Sequence, residues 1–240
     1  MLNQPEKRSA ETRFRATARI SLLARIASGI GIAPEGVRIA LPLLALGLVL
    51  AAAGFAAIGV ILIIIGSALA AFFRDPPRHT NVCPDAVVSG ADGRICDVSV
   101  ASVPGIADRA LYTRVSVFMS PLNVHVNRAS VSGEVIALDH AKGEFRAAFY
   151  DASSEHNERN VIRIRDDLGR SHALIQVAGY LARRIVCDLR LHQHLERGQR
   201  IGLIMFGSRV DHFLPRQYRV AVRVGDRVRA GETIIGEPIA

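Results

Sequence analysis

Between Ile39 and Phe73 the chain carries no charged residue, and Leu41–Phe73 (LPLLALGLVLAAAGFAAIGVILIIIGSALAAFF) is more apolar than a soluble helix of that length. About 20 such residues are enough to cross a bilayer. This run therefore fixes the first constraint on the fold: part of the chain belongs in lipid. It starts too far into the sequence, and runs too long without a cleavage box, to read as a signal peptide, so a retained anchor is expected. Its 33 residues exceed one upright span and fall short of two full ones. Gly54 and Gly59 sit near its middle as bend points. Arg13, Arg15, Arg19, Arg25 and Arg38 precede it and Arg74 and Arg78 follow it, so both ends read as cytoplasmic by the distribution of positive charge. A hairpin or re-entrant pair of helices over 39–73 is expected in preference to one tilted span. Within the basic segment 1–38, Phe14, Ala18, Leu22 and Ile26 recur at helical spacing while Arg15 and Arg19 fall off that stripe. That is the pattern of an interfacial helix on an anionic membrane surface; a loose basic tail is the plain alternative.

The remaining sequence, 74–240, is of another kind. Short apolar runs alternate with Gly, Pro, Asp and Asn. Arg109–Met119, Val161–Arg165, Ala173–Ala178, Ile201–Phe206 and Arg219–Val224 read as strands, with no long amphipathic helix among them. Two stretches, Gly198–Gly202 and Gly225–Gly236, bracket apolar pairs with glycines, as in the turns of biotinyl/lipoyl-type barrel-sandwich domains. Neither contains a lysine, which disfavours a carrier domain. The expected fold is a mainly β catalytic domain over 74–240, with barrel-sandwich or lipoyl-like turns, behind an N-terminal α-helical membrane anchor.

The net charge of +8 is shared equally by the two ends, since residues 1–38 hold seven Lys/Arg against three acids and residues 74–240 hold 23 against 19. Basic charge of this size suits nucleic acid, an anionic membrane or an anionic substrate. No nucleic-acid module is visible and the arginines are not interleaved with aromatics, so nucleic acid is not an expected partner. Cys83, Cys96 and Cys187 are odd in number and widely spaced, which indicates neither a disulfide framework nor a zinc site. His192-x-His194 would put two imidazoles on one face of a strand, but no third ligand accompanies them, and no metal is expected. Phosphate-binding glycine loops, Gly-x-Ser-x-Gly and His-Glu-x-x-His are absent.

Chemistry is instead suggested by Phe206-Gly207-Ser208-Arg209-Val210-Asp211, where a Gly-Ser pair interrupts two β-type runs. Alone, Gly-Ser is a turn. This hexapeptide, however, resembles the cleavage motif of phosphatidylserine decarboxylase proenzymes in their short bacterial and archaeal form. Further matches follow the same order: Phe72-Phe73-Arg74-Asp75-Pro76, Ala91-Asp92-Gly93 before a strand, Ser120-Pro121-Leu122-Asn123-Val124-His125-Val126-Asn127, Asn157-Glu158-Arg159-Asn160 and Gln176-Val177-Ala178-Gly179.

The resemblance implies a pyruvoyl-dependent carboxy-lyase that converts phosphatidylserine to phosphatidylethanolamine. Ser208 would cut the chain after Gly207 and become a pyruvoyl group, the only cofactor implied, which forms a Schiff base with the substrate amine. Fragments 1–207 and 208–240 would stay together. His125 is the implied proton donor, and the implied base for the cut as well; Asp92 would orient a histidine as the acid of a Ser-His-Asp set does. Longer relatives carry a second histidine three residues on. Here that position is Arg128, so either His125 serves both steps or another group supplies one. Arg128, Arg159 and Arg209 lie in matched segments and suit the lipid phosphate or the serine carboxylate. A cell (inner) membrane enzyme facing the cytoplasm is expected, and a homo-oligomer is compatible with it. Two alternatives stand beside this reading: a pyruvoyl decarboxylase of another amino-bearing substrate, and a membrane-tethered β-domain adaptor without chemistry.

Overall fold

The computed structural model describes residues 29–104, 110–141, 143, 157–179, 184–205 and 208–239. The amphipathic stripe over 14–26 lies outside them, as do Phe206 and Gly207. Two compact units divide the chain, Met1–Pro76 and Pro77–Ala240.

In the first unit the apolar run forms two helices, α1 (Pro34–Ala52) and α2 (Ala56–Phe72). Pro34 opens α1, where its missing N–H is no loss. Gly54 lies at φ +95°, a left-handed conformation that reverses the chain between the helices. The helices then pack at glycine. A Cβ on Gly59 would come within 2.6 Å of the Gly47 carbonyl oxygen, and one on Gly47 within 2.8 Å of Ile63. The open ends of the pair are tied by Ala33 N–H to the Phe73 carbonyl and Asp75 N–H to the Gly31 carbonyl, both at 2.7 Å. α1 is long and apolar enough to cross a membrane, and α2 is a shorter apolar helix. Leu41, Leu48, Val49, Ile61 and Ile64 are exposed on their surfaces.

Among the described residues the second unit holds fourteen strands: β1 (Val87–Val88), β2 (Gly93–Ala101), β3 (Tyr112–Met119), β4 (Val126–Arg128), β5 (Gly133–Ala141), β6 (Arg159–Asp166), β7 (Ser171–Ala178), β8 (Ile185–Cys187), β9 (His194–Leu195), β10 (Arg200–Ile204), β11 (Ser208–Leu214), β12 (Tyr218–Val220), β13 (Arg227–Val228) and β14 (Ile234–Pro238). Eight form one sheet in the order β13-β2-β3-β11-β7-β6-β5-β9; β4-β10-β8 and β1-β14-β12 form two smaller sheets. Among the described residues the strand pairings are antiparallel, which accounts for the alternating sequence pattern. The expected mainly β domain behind an apolar helical segment is what the chain forms.

β11 lies inside the large sheet, between β3 and β7, and all seven of its residues are buried. Alternate residues of a strand face opposite ways. Val210 and Leu214 join the main core with Val117, Met119, Leu174 and Ala178. Phe213 faces a second cluster with Val161, Ile175 and Val177. Burial on both faces means that the polar residues of this strand need internal partners.

Candidate active site

Ser208 is the first residue of β11, paired with Met119 of β3 on one side and Ala178 of β7 on the other. It is fully buried, and its Oγ donates to the Met119 thioether at 3.4 Å. Met119 Sδ also receives the Asn127 side-chain N–H at 3.6 Å. Asn127 Oδ1 in turn accepts from Gln176 Nε2 at 2.8 Å, and Gln176 Oε1 accepts from Asn160 Nδ2 at 2.9 Å. A chain of three buried amides thus ends on the sulfur that holds the serine. Nearby, Asn157 Nδ2 donates to the carbonyl of Ala178 at 2.7 Å.

His125 is buried on the segment that joins β3 to β4. A turn organises that segment: Asn123 Oδ1 accepts from both the backbone N–H (2.8 Å) and the hydroxyl (2.7 Å) of Ser120. The His125 Nδ1–H donates to the Asn123 carbonyl at 3.0 Å. That bond assigns the proton to Nδ1 and leaves the lone pair of the neutral ring on Nε2. The His125 carbonyl accepts from Ile204 N–H at 3.3 Å, and Val126 pairs with Leu203 of β10. The end of β10 at Leu203 thus pairs with the start of β4 at Val126, and the start of β11 at Ser208 with the end of β3 at Met119. His125 precedes β4 and Ser208 opens β11, 83 positions apart in sequence.

Asp92 has other partners. Its Oδ2 lies 2.8 Å from Arg78 Nη2, and its Oδ1 accepts the Ala230 N–H at 2.7 Å. Arg78 Nη1 reaches Glu232 at 3.4 Å, and Thr80 Oγ1 donates to the Gly231 carbonyl at 2.7 Å. The 229–233 turn is thereby fastened to residues 78–92. No histidine is hydrogen-bonded to Asp92 among the described residues. The neighbouring Gly90 N–H instead meets His212 Nε2 at 2.7 Å.

The three arginines differ in setting. Arg209 is buried and grips Asp211 twice, Nε to Oδ1 at 2.8 Å and Nη2 to Oδ2 at 3.1 Å. Removing either partner of such a pair would take from a buried charge its nearest counter-charge. Arg128 Nη1 donates to the Gly198 carbonyl at 3.1 Å. Arg159 is half-buried at the start of β6, opposite Val177 of β7. Close to the Arg209–Asp211 pair, burial pushes the Cys96 thiol up to about 11, with Arg209 opposing and Asp211 adding to the rise.

No group of three or more His, Cys, Asp or Glu side chains able to hold a metal occurs among the described residues. His192 and His194 bond separate carboxylates, Glu134 at 2.7 Å and Asp167 at 2.9 Å, on the surface. His212 had no role in the sequence reading. Its buried ring donates Nδ1–H to the Val115 carbonyl at 3.1 Å, and burial pushes it down to about 4. Its position in β11, opposite Val115 and Leu174, could have been inferred only with the strand register in hand.

The family model for phosphatidylserine decarboxylase matches residues 65–236. The phosphatidylserine decarboxylase proenzyme of Mycobacterium avium is 47% identical over 178 residues, covering 73% of this chain and 74% of that protein. The proenzyme of Mycolicibacterium smegmatis is 45% identical over 178 residues, covering 73% of this chain and 76% of its own length. That of Chlorobium chlorochromatii is 48% identical over 166 residues, or 69% of this chain and 76% of the relative.

Proposed function

Because the chain belongs to the phosphatidylserine decarboxylase family, we propose that it removes carbon dioxide from phosphatidylserine to give phosphatidylethanolamine, at an electrophile that it makes from its own Ser208. The observation that carries this reading is the setting of Ser208: fully buried at the head of an interior strand, with its hydroxyl on a thioether and the His125 segment tied to the strand that leads into it.

Self-processing follows from the residues. Ser208 Oγ bonds to the carbonyl carbon of Gly207, the Gly207–Ser208 C–N bond breaks, and the freed nitrogen takes the hydroxyl proton, leaving an ester. Elimination across Cα–Cβ of residue 208 expels Gly207 as a carboxylate and leaves dehydroalanine. Water then replaces its nitrogen, which departs as ammonia, and a pyruvoyl group remains. A glycine before the serine leaves the attacked carbonyl unobstructed.

The buried setting of residue 208 suits this group, because a methyl ketone needs apolar contact and Met119 supplies a soft surface that bonds a hydroxyl or packs on a methyl equally well. When formed, the group supplies a carbonyl that takes the substrate amine as a Schiff base and draws electrons from the breaking C–C bond. His125, with its lone pair on Nε2, accepts a proton during self-cleavage and returns one to the substrate α-carbon. Arg128 and Arg159 attract the phosphate or carboxylate of the headgroup. Arg209 contributes to headgroup recognition only by exchanging its Asp211 partner for a substrate anion. Asp92 serves catalysis by holding charge near this region, through its contacts with Arg78 and Ala230.

The paired apolar helices support anchoring of residues 39–73 in the cell membrane, with the basic segment 1–38 on the anionic cytoplasmic surface and the catalytic domain 74–240 on the same side. Fragments 1–207 and 208–240 are held together by the pairing of β11 with β3 and β7 and by the contacts of Asp92 with Ala230 and Arg78 with Glu232. Intact-mass measurement on purified protein tests the reading. The expected species are a fragment ending at Gly207 and one beginning with a carbonyl-reactive residue 208; a single unmodified chain overturns it.

A further inference from the structure

The three-amide chain has a direction, and the direction has a consequence for Ser208. Asn160 donates to Gln176, Gln176 donates to Asn127, and Asn127 donates to Met119 Sδ, the atom that also accepts the Ser208 hydroxyl. All five residues are buried, with exposures of 4% for Asn160 and 0% for the others. They come from β6, β7, β4, β3 and β11, so the chain crosses the sheet interior to reach the serine. Reversing it would set the Asn127 amide oxygen against the sulfur, two lone-pair-bearing atoms without a proton between them.

Satisfying buried amides is reason enough for the links among Asn160, Gln176 and Asn127. It does not explain why the last donor is spent on a thioether, a weak acceptor, beside the one hydroxyl that must be kept ready to react. A strong acceptor at this place would hold the serine proton and its rotamer firmly. The sulfur holds both lightly, and where it does so depends on how Asn127 fixes the Met119 side chain, which has three rotatable bonds.

We propose that Asn127, held by Gln176 and Asn160, and Met119 are positioning residues for self-cleavage. They set the rotamer of Ser208 from which Oγ attacks the Gly207 carbonyl. This rests on the self-processing reading given above. The step they govern is the acyl shift, in which the Oγ–C bond forms, the C–N bond breaks and the hydroxyl proton passes to nitrogen. Asn127, Gln176 and Asn160 do not act in the later elimination or in turnover, and Met119 then only packs against the group formed.

Two near-isosteric variants separate this role from packing. Met119→Leu keeps volume and removes the acceptor. Gln176→Glu keeps shape and makes donation to Asn127 depend on protonation: the neutral acid donates to Asn127 Oδ1 as the amide does, whereas the carboxylate can only accept and turns the Asn127 amide over. Full-length precursor is made by cell-free synthesis in detergent micelles, and its cleavage is followed by gel. Wild-type chain is run in parallel, each variant's thermal unfolding is recorded, and turnover is normalised to the cleaved fraction.

Met119→Leu is expected to cleave at least roughly tenfold more slowly, the scale of a misplaced attacking group, while turnover per cleaved molecule falls far less, because leucine packs on a methyl as methionine does. Gln176→Glu is expected to slow progressively as pH rises, against the wild-type profile. Hydroxylamine, which cuts an accumulated ester, should rescue neither. Wild-type rates and pH profiles in a folded variant overturn the proposal, as does full rescue by hydroxylamine; if Gln176→Glu does not fold, Met119→Leu decides alone. A wild-type chain that never cleaves removes the underlying self-processing reading instead, so the two failures are distinguishable.

Discussion

His212 Nε2 accepts the backbone N–H of Gly90 at 2.7 Å while its Nδ1–H donates to the Val115 carbonyl. Both ring nitrogens are thus assigned in the neutral form. Adding a proton at Nε2 would turn the Gly90 contact into two donors facing each other.

A pH dependence follows. Burial holds the ring at about 4, against 6.5 in the open chain, so between these values the unfolded state binds the extra proton and the folded state does not. Stability contributed by His212 is therefore complete above about 6.5 and is lost as pH falls toward 4, by about 3 kcal/mol in all. His172, pushed down chiefly by burial, adds loss of the same sign. Asp166 titrates later: burial raises its carboxyl, but hydrogen bonds from Arg170 and His172 more than offset this and hold it below 3.8. Its contribution is present above 3.8 and is lost as pH falls through its lowered value. Denaturant midpoints in detergent at several pH values between 7 and 4 should fall steadily; a flat profile would contradict the neutral assignment of His212.

Ser208→Ala removes only a weak O–H···S bond and fits the same space. Its stability should lie within about 1 kcal/mol of the parent, while the chain stays whole and releases no carbon dioxide from phosphatidylserine. Unfolding curves, gel mobility and a carbon dioxide assay check the three parts. His125→Ala should lose cleavage, turnover or both, and normal rates for both would return it to a structural role.

Asp92→Ala leaves Arg78, whose side chain is 7% exposed, without its nearer carboxylate, and the Ala230 N–H without an acceptor. Glu232 at 3.4 Å remains as partial compensation. A loss of about 3 kcal/mol is expected, read in cleaved protein as release of the 208–240 fragment at lower urea. An activity loss with unchanged stability would favour the orienting role expected from the sequence.

The cysteines should differ in reactivity. Cys83 is exposed, whereas burial pushes Cys96 up to about 11 and raises Cys187. Since the thiolate is the reacting form, alkylation near pH 8 should label Cys83 first and Cys96 slowly, as peptide mapping would resolve.

Legibility from sequence followed range. The apolar run and its glycines are local signals: of the two expected bend points, Gly54 lies between the helices, whereas Gly59 lies within α2 and lets it pack on α1. Ala173–Ala178 and Val161–Arg165 read directly as the strands β7 and β6 because apolar residues dominate them. β11 is legible as a β-type run after the Gly-Ser pair, but its complete burial is not, since Ser208, Arg209 and Asp211 are residue types that favour the surface. It is buried because Arg209 and Asp211 neutralise each other and because His212 is bonded at both nitrogens, facts that depend on the fold. The same holds for Asp92. An Asp-Gly pair cannot announce that its carboxylate will meet Arg78 on one side and Ala230, 138 positions on, on the other. Asn127, Gln176 and Asn160 each stood inside a matched segment, but their contact spans 49 positions at its longest and left no local pattern.

Because β11 is an interior strand, cutting the chain at its first residue would change what kind of stability the protein has. Before the cut, unfolding is reversible in principle, since one continuous chain can find its register again. Afterwards the strand belongs to a separate 33-residue piece, residues 208–240, which must re-enter between two neighbours that have no reason to stay apart. Reassembly becomes a bimolecular search for a slot that closes, so the mature molecule would persist by the slowness of its unfolding alone.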